Sequence, residues 1–196
     1  MACVIVLCGC ATSTATYSPP AAPNVVNTKL INKPFDVVWE KMVKELSGDF
    51  FVINNIDKNS RLINLSFSSQ KPSEFVDCGS STRTLKSSRG DKIYTYKTAD
   101  STEFVTTNDQ GALFQVRRIS RLEGRTNIYV APEGAGTNVT VNSKYVVSIA
   151  VNVEGGRAAS TENFVADPST KTPFNNGTVT CYATGKIEEL VLRAAQ

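Results

Sequence analysis

Residues 34–67 read Pro-Phe-Asp-Val-Val-Trp-Glu-Lys-Met-Val-Lys-Glu-Leu-Ser-Gly-Asp-Phe-Phe-Val-Ile-Asn-Asn-Ile-Asp-Lys-Asn-Ser-Arg-Leu-Ile-Asn-Leu-Ser-Phe. Phe35, Val38, Trp39, Met42, Val43 and Leu46 fall at i, i+3, i+4, i+7, i+8 and i+11, a single apolar stripe at helical spacing. Pro34 suits the first helical position, Asp36 favours the N-terminal end of the helix dipole, and Gly48 is placed to end the helix. The spacing therefore predicts a helix from Pro34 to Ser47. Beyond it, two β-prone runs, Phe50–Ile56 and Arg61–Ser68, flank the polar Asp57-Lys58-Asn59-Ser60, the pattern of a hairpin. Ile63, Leu65 and Phe67 alternate with Asn64 and Ser66, so one face of the hairpin is expected to meet the helix. Trp39 then packs in the core, with a ligand-gripping role as the alternative.

Working outward, residues 71–79 lead into a polar stretch to about Gln110, with β-prone pieces such as Ile93–Tyr96 and Glu103–Val105 but weak periodicity. Strands are expected again at Ala112–Leu122 and Thr126–Pro132, the latter turning through Gly134 and Gly136 into Thr137 to about Val153. Gly155–Gly177 reads as loop. Thr178–Tyr182 reads as a closing strand, followed by a helix from Gly185 with Thr184 as N-cap and Ile187, Leu190, Val191 and Ala194 on its apolar face. The order is helix, hairpin, irregular strands, hairpin, strand, helix. It predicts an α+β fold: an antiparallel β-sheet with an N-terminal and a C-terminal helix packed on one face.

The 196 residues make about one domain, and 41% hydrophobic with 20% charged residues places the chain in the globular range. Histidine is absent, which excludes His-based triads, His metal sites and histidine switches. A nucleophilic serine would need a lysine base, and no Ser/Lys catalytic site of the penicillin-binding type is read in the chain. Asp36/Glu40 and Glu188/Glu189 are carboxylate pairs on amphipathic helices, where a solvated face is the ordinary explanation. The expectation is a protein with no catalytic residues, no metal and no cofactor beyond a covalent lipid. A net charge of +3 is too small to argue for nucleic acid.

Residues 2–9 are uniformly apolar and end at Cys10. Eight residues are too few to span a bilayer, which needs about 20 in a helix, but they suit the end of a signal-peptide h-region. No positive n-region precedes them, so the reading expects either an upstream start codon or a trimmed chain. Leu7-Cys8-Gly9-Cys10 resembles the bacterial lipobox, which implies lipidation of Cys10. Ala11 rather than Asp follows, which in that resemblance implies the outer membrane, facing the periplasm. The alternative is a buried first strand with incidental cysteines. Residues 1–9 are thus read as a signal-peptide remnant, 10–28 as a lipidated flexible linker and 29–196 as one α+β domain. The uncharged, proline-bearing linker has the composition of a tether, or else of a strand that docks on a partner. Cys78 and Cys181 remain as two thiols in an oxidising compartment, where a disulfide between them is expected and two reduced, buried cysteines are the alternative.

The residues Pro34–Trp39, Phe51-Val52-Ile53 and Leu62–Leu65 look like the opening of helix-grip domains. With the lipobox and tether, the layout is similar to BamC-type outer-membrane lipoproteins. That resemblance implies a non-enzymatic module working by contact with envelope proteins in a multi-protein assembly of barrel-assembly or secretion type. Arg117, Arg121 and Arg125 share strand parity, so a regular strand places them on one face, as candidate interaction residues or as an ordinary solvated face. The alternative function is a periplasmic binding protein for a small apolar or lipid ligand, with Trp39, Phe51 and Phe67 lining its cavity.

Overall fold

The computed structural model describes residues 11–155 and 158–196. Thr12–Ser18 (β1) and Thr28–Ile31 (β2) precede the helix Phe35–Ser47 (α1). Val52–Asp57 (β3) and Leu62–Ser69 (β4) form the first hairpin. A 3-10 turn at Pro72–Glu74 leads to Val76–Asp77 (β5), Ser80–Lys86 (β6), Lys92–Lys97 (β7) and Thr102–Thr107 (β8). Leu113–Glu133 (β9) and Gly136–Gly155 (β10) form a long antiparallel ribbon, followed by Ala158–Ala166 (β11). Phe174–Asn175 (β12), Thr180–Ala183 (β13) and the helix Lys186–Ala194 (α2) close the chain.

The β9–β10 ribbon organises the fold. Its register runs from Gly136 opposite Glu133 to Glu154 opposite Gln115, leaving a two-residue turn, Gly134-Ala135. Gly134 has φ +59°, a left-handed conformation that glycine adopts without a Cβ penalty. On the outer side of β9, β4 pairs along residues 122–129 and β8 along 113–118. On the outer side of β10, β2 pairs at 137–140 and β11 along 147–155. With β3 beside β4, these strands make a seven-stranded antiparallel sheet. Two three-stranded sheets stand apart from it, β1-β6-β7 and β12-β13-β5. The α+β class is therefore as the sequence implies: antiparallel sheet with two helices.

One core joins both helices to the sheet. Val38, Trp39, Met42 and Leu46 of α1 and Ile187, Val191 and Leu192 of α2 meet Ile63, Leu65, Phe67, Leu122, Ile128, Val130, Val141, Tyr145 and Val147. The inward residues alternate along each strand, so the period of two decides which side chains are buried. Pro34, with ψ 150°, stands just before the first turn of α1 rather than within it, and Gly48 N–H donates to Glu45 O at the far end. Leu85, Phe104 and Val116 are buried outside this core, where β6 and β8 meet one end of β9.

Four expectations are corrected. The flexible linker expected over residues 10–28 is built into the fold in its described part. Thr12–Ser18 pairs residue for residue with β6, the Tyr17 hydroxyl donates to Thr180 O (3.2 Å) and accepts from Thr180 N–H (3.0 Å), and Asn27 Nδ2 donates to Val141 O (3.1 Å). Such contacts satisfy backbone polar groups without needing apolar burial, and so escape a hydrophobicity-based reading. The loop expected over residues 155–177 contains β11, which lengthens the sheet along β10. The two strands expected either side of Gly124 are one continuous strand, because Gly124 receives the ring of Phe67 across the β4–β9 pair. At α2, Gly185 rather than Thr184 is the N-cap residue, with φ +84°. Thr184 Oγ1 donates to Glu74 O at 3.1 Å and accepts from Lys186 N–H at 3.4 Å.

Candidate interaction face

Because β9 alternates without interruption through Gly124, Arg117, Arg121 and Arg125 all emerge on the exposed face of the seven-stranded sheet, opposite the core. Arg121 and Arg125 lie about 13 Å apart along the strand at the usual rise per residue. Arg117 Nε is bridged to Glu103 Oε1 on β8 at 3.0 Å. Among the described residues, Arg121 and Arg125 have no acidic partner within salt-bridge distance. Lys144 stands directly opposite Arg125 in the β9–β10 register and is bridged to Asp167 at 3.5 Å. Like charges facing each other across a strand pair are destabilising in isolation; Asp167 offsets Lys144, and Glu123 stands between Arg121 and Arg125 on the same face.

The face carries two open grooves. One, of ≈ 760 Å³, runs between β3, β4 and β9 and is lined by Val52, Asn54, Asn64, Ser66, Glu123 and Arg125, among others. Its rim is tied by cross-strand hydrogen bonds, Asn64 Nδ2 to Asn127 Oδ1 (2.7 Å) and Ser66 Oγ to Asn54 Oδ1 (3.2 Å). The second, of ≈ 460 Å³, lies between β9, β10 and β11, with Ile119, Arg121, Ala150 and Val165 on its walls. Val52 and Val165 are more than half exposed, at 60% and 52%. Arginine is enriched at protein interfaces relative to other surface, and here it stands beside exposed aliphatic side chains.

The three aromatics expected to line a cavity pack in the core. Trp39 is buried against Phe35, with ring centroids 5.6 Å apart. Phe51 meets Phe67 edge-on at 5.9 Å, and Phe67 also touches Phe50, Phe75 and Tyr145. Of the three, only Phe67 reaches a groove, contributing to the floor of the 760 Å³ one.

Cys78 and Cys181 are disulfide-bonded, joining the chain just past β5 to β13. Cys10, the expected lipidation site, and the signal-peptide remnant at 1–9 lie outside the described residues. Among the described residues no helix is long and apolar enough to cross a membrane, and no cluster of His, Cys, Asp and Glu is placed to hold a metal ion.

Glu188 was legible only as half of a helical carboxylate pair. Its partner Glu189 is exposed, but Glu188 is fully buried. Thr170 Oγ1 donates to its carboxylate at 2.7 Å and the Tyr145 hydroxyl at 3.3 Å. Burial, reinforced by this carboxylate, pushes the Tyr145 phenol far above its ordinary value. Thr126 and Ser143 hydroxyls pair at 3.0 Å in the same interior. The only signal for this in the sequence is that position 188 follows Ile187 and precedes Val191 on the buried side of α2. The network docks α2 on β10 and the 167–173 segment.

The chain matches no protein-family model, no curated protein and no solved structure.

Proposed function

We propose that this chain is a non-enzymatic interaction module of a periplasmic envelope assembly, of barrel-assembly or secretion-system type. It is held at the outer membrane by lipid on Cys10 and built on a helix-grip-like arrangement. The observation that carries the reading is the open sheet face, where Arg121 and Arg125 stand without acidic partners among the described residues, beside exposed Ile119, Val52 and Val165. The partner it suits is a protein surface with acidic groups around an apolar centre. Arginines with this setting are frequent interface anchors, because the guanidinium binds carboxylates in a bidentate fork while its stem covers apolar surface. The alternative, a carrier of a small apolar ligand, has less support, since Trp39 and Phe51 are occupied in packing one another's neighbourhood.

In-cell cross-linking from a photoreactive residue at position 165, beside Arg121 in the same groove, followed by mass spectrometry, tests the reading. A reproducible set of envelope proteins that disappears in an Arg121→Glu/Arg125→Glu double variant is the expected result. Loss of membrane association on Cys10→Ala is the expected result for the anchor. A monomer that carries co-purified lipid and cross-links to nothing would overturn the module reading and favour the carrier.

A further inference from the structure

On the other side of β9 from this face, a second pair of arginines meets at a pocket. Arg118 and Arg83 both line a cavity of ≈ 260 Å³, together with Ala15, Thr16 and Tyr17 of β1, Ser81 of β6, Tyr96 of β7, Thr98 and the Thr178-Val179 segment. Arg83 stacks over Phe104, its guanidinium carbon 4.5 Å from the ring centroid, and its Nε donates to the Tyr96 hydroxyl at 3.3 Å. Arg118 lies over Tyr96 at 5.5 Å and donates one terminal N–H to Thr98 O at 2.8 Å. Its Nε is buried and has no hydrogen-bond partner. Neither arginine has an acidic partner among the described residues, and no acidic residue lines the cavity.

We propose that this pocket binds an oxyanion, the phosphate or carboxylate group of a small molecule, between Arg83 and Arg118. Two guanidiniums held by aromatic faces in a half-buried pocket form a pre-organised fork, the geometry that binds carboxylate and phosphate through charge-assisted hydrogen bonds. The hydroxyl-bearing walls, Thr16, Ser81, Tyr96, Thr98 and Thr178, bring further polar atoms around the same space without adding negative charge. The volume admits the anionic group and a few atoms attached to it. The aromatic contacts hold each cation in place, yet they leave the buried Arg118 Nε–H to be satisfied by an acceptor from outside the chain. β1 closes one wall, so a pocket occupant also contacts the segment that follows Cys10. The site is separate from the Arg121–Arg125 face, and its test does not depend on that reading.

The full chain is titrated with inorganic phosphate and, separately, with acetate at constant ionic strength, and the Arg118 Nε–H resonance is followed by NMR. A saturable shift with either anion, beyond that produced by chloride, is expected, and the tighter of the two names the preferred group. Arg83→Gln, a half-buried position where the fold should persist, is expected to weaken the affinity at least tenfold; Arg193→Gln, exposed on α2, is expected to leave it unchanged. A response to phosphate and acetate no larger than to chloride would overturn the proposal. So would an affinity in Arg83→Gln within twofold of the parent.

Discussion

Gly124 sits in the middle of a 21-residue strand because a side chain there would occupy the space of another residue. A Cβ built on it would lie 2.1 Å from the Phe67 ring, which stands opposite in the β4–β9 register. An aromatic ring laid over a cross-strand glycine fills the hole and keeps the ladder continuous. Gly124→Ala is therefore expected to push Phe67 out of its cluster with Phe51, Phe75 and Tyr145. The overpacking should cost about 1–3 kcal/mol, read as a lower urea midpoint with unchanged slope. An unchanged midpoint would show that Phe67 has room to move. Glu188 presents the opposite case, a polar group the core requires. Glu188→Ala removes the acceptor of the buried Tyr145 hydroxyl, and leaving it unpaired costs about 1–3 kcal/mol, while Thr170 Oγ1 keeps Ser143 O as an acceptor at 3.2 Å. Glu188→Gln keeps an acceptor oxygen at similar volume and should be clearly the milder change. Equal losses in the two variants would show that the carboxylate's charge, rather than its hydrogen bonds, holds the site.

At the scale of elements, β1 is where sequence and structure part most. Its residues, Thr-Ser-Thr-Ala-Thr-Tyr-Ser, offer no apolar alternation, and its partner β6, Ser-Ser-Thr-Arg-Thr-Leu-Lys, is equally polar. What joins them is the backbone ladder itself, and the two hydrogen bonds of Tyr17 to Thr180 tie β1 in turn to β13. Gly79 makes that approach possible: at φ +73°, its added Cβ would lie 2.1 Å from Ser18 O. Gly79→Ala should thus raise hydrogen exchange throughout Thr12–Ser18 and β6, while α1 and the β9–β10 ribbon keep their protection. Loss of protection everywhere would contradict β1 as a locally docked strand. The elements that were legible from sequence share one property: an apolar period that the fold uses. The α1 stripe, the β3–β4 hairpin around Asp57–Ser60 and the parity of Arg117, Arg121 and Arg125 all follow from it. β11 and the unbroken course of β9 were not legible, because the first lies in a segment of weak apolar signal and the second turns on a glycine whose meaning depends on a ring from another strand. Arg118, adjacent to Arg117 in sequence, gains its separate role because parity sends it to the opposite face, toward Arg83.

For the molecule as a whole, the closing elements are tied to the rest by contacts between residues far apart in sequence. β13 and α2 come last in the chain, yet α2 supplies Ile187, Val191 and Leu192 to a core begun by α1. The 103-residue separation between Cys78 and Cys181 spans most of the sheet. A cross-link over such a loop acts mainly by limiting the unfolded ensemble, with a typical effect of about 2–5 kcal/mol for a native bridge. Cys78→Ser/Cys181→Ser is expected to lower stability by that amount with little change in native circular dichroism, since both sulfurs sit in an already buried core. Hydrogen exchange should add a direction to the loss: β13 and α2, attached through β5, the disulfide and the Glu188 network, open first, whereas the β9–β10 ribbon, flanked on both sides by paired strands, opens only with global unfolding. If the double variant instead loses β9–β10 protection as early as α2, the disulfide stabilises one cooperative unit and the closing elements have no independent opening. Reduction of the unmodified protein should reproduce the double variant's midpoint, because the same constraint is removed by a different chemistry.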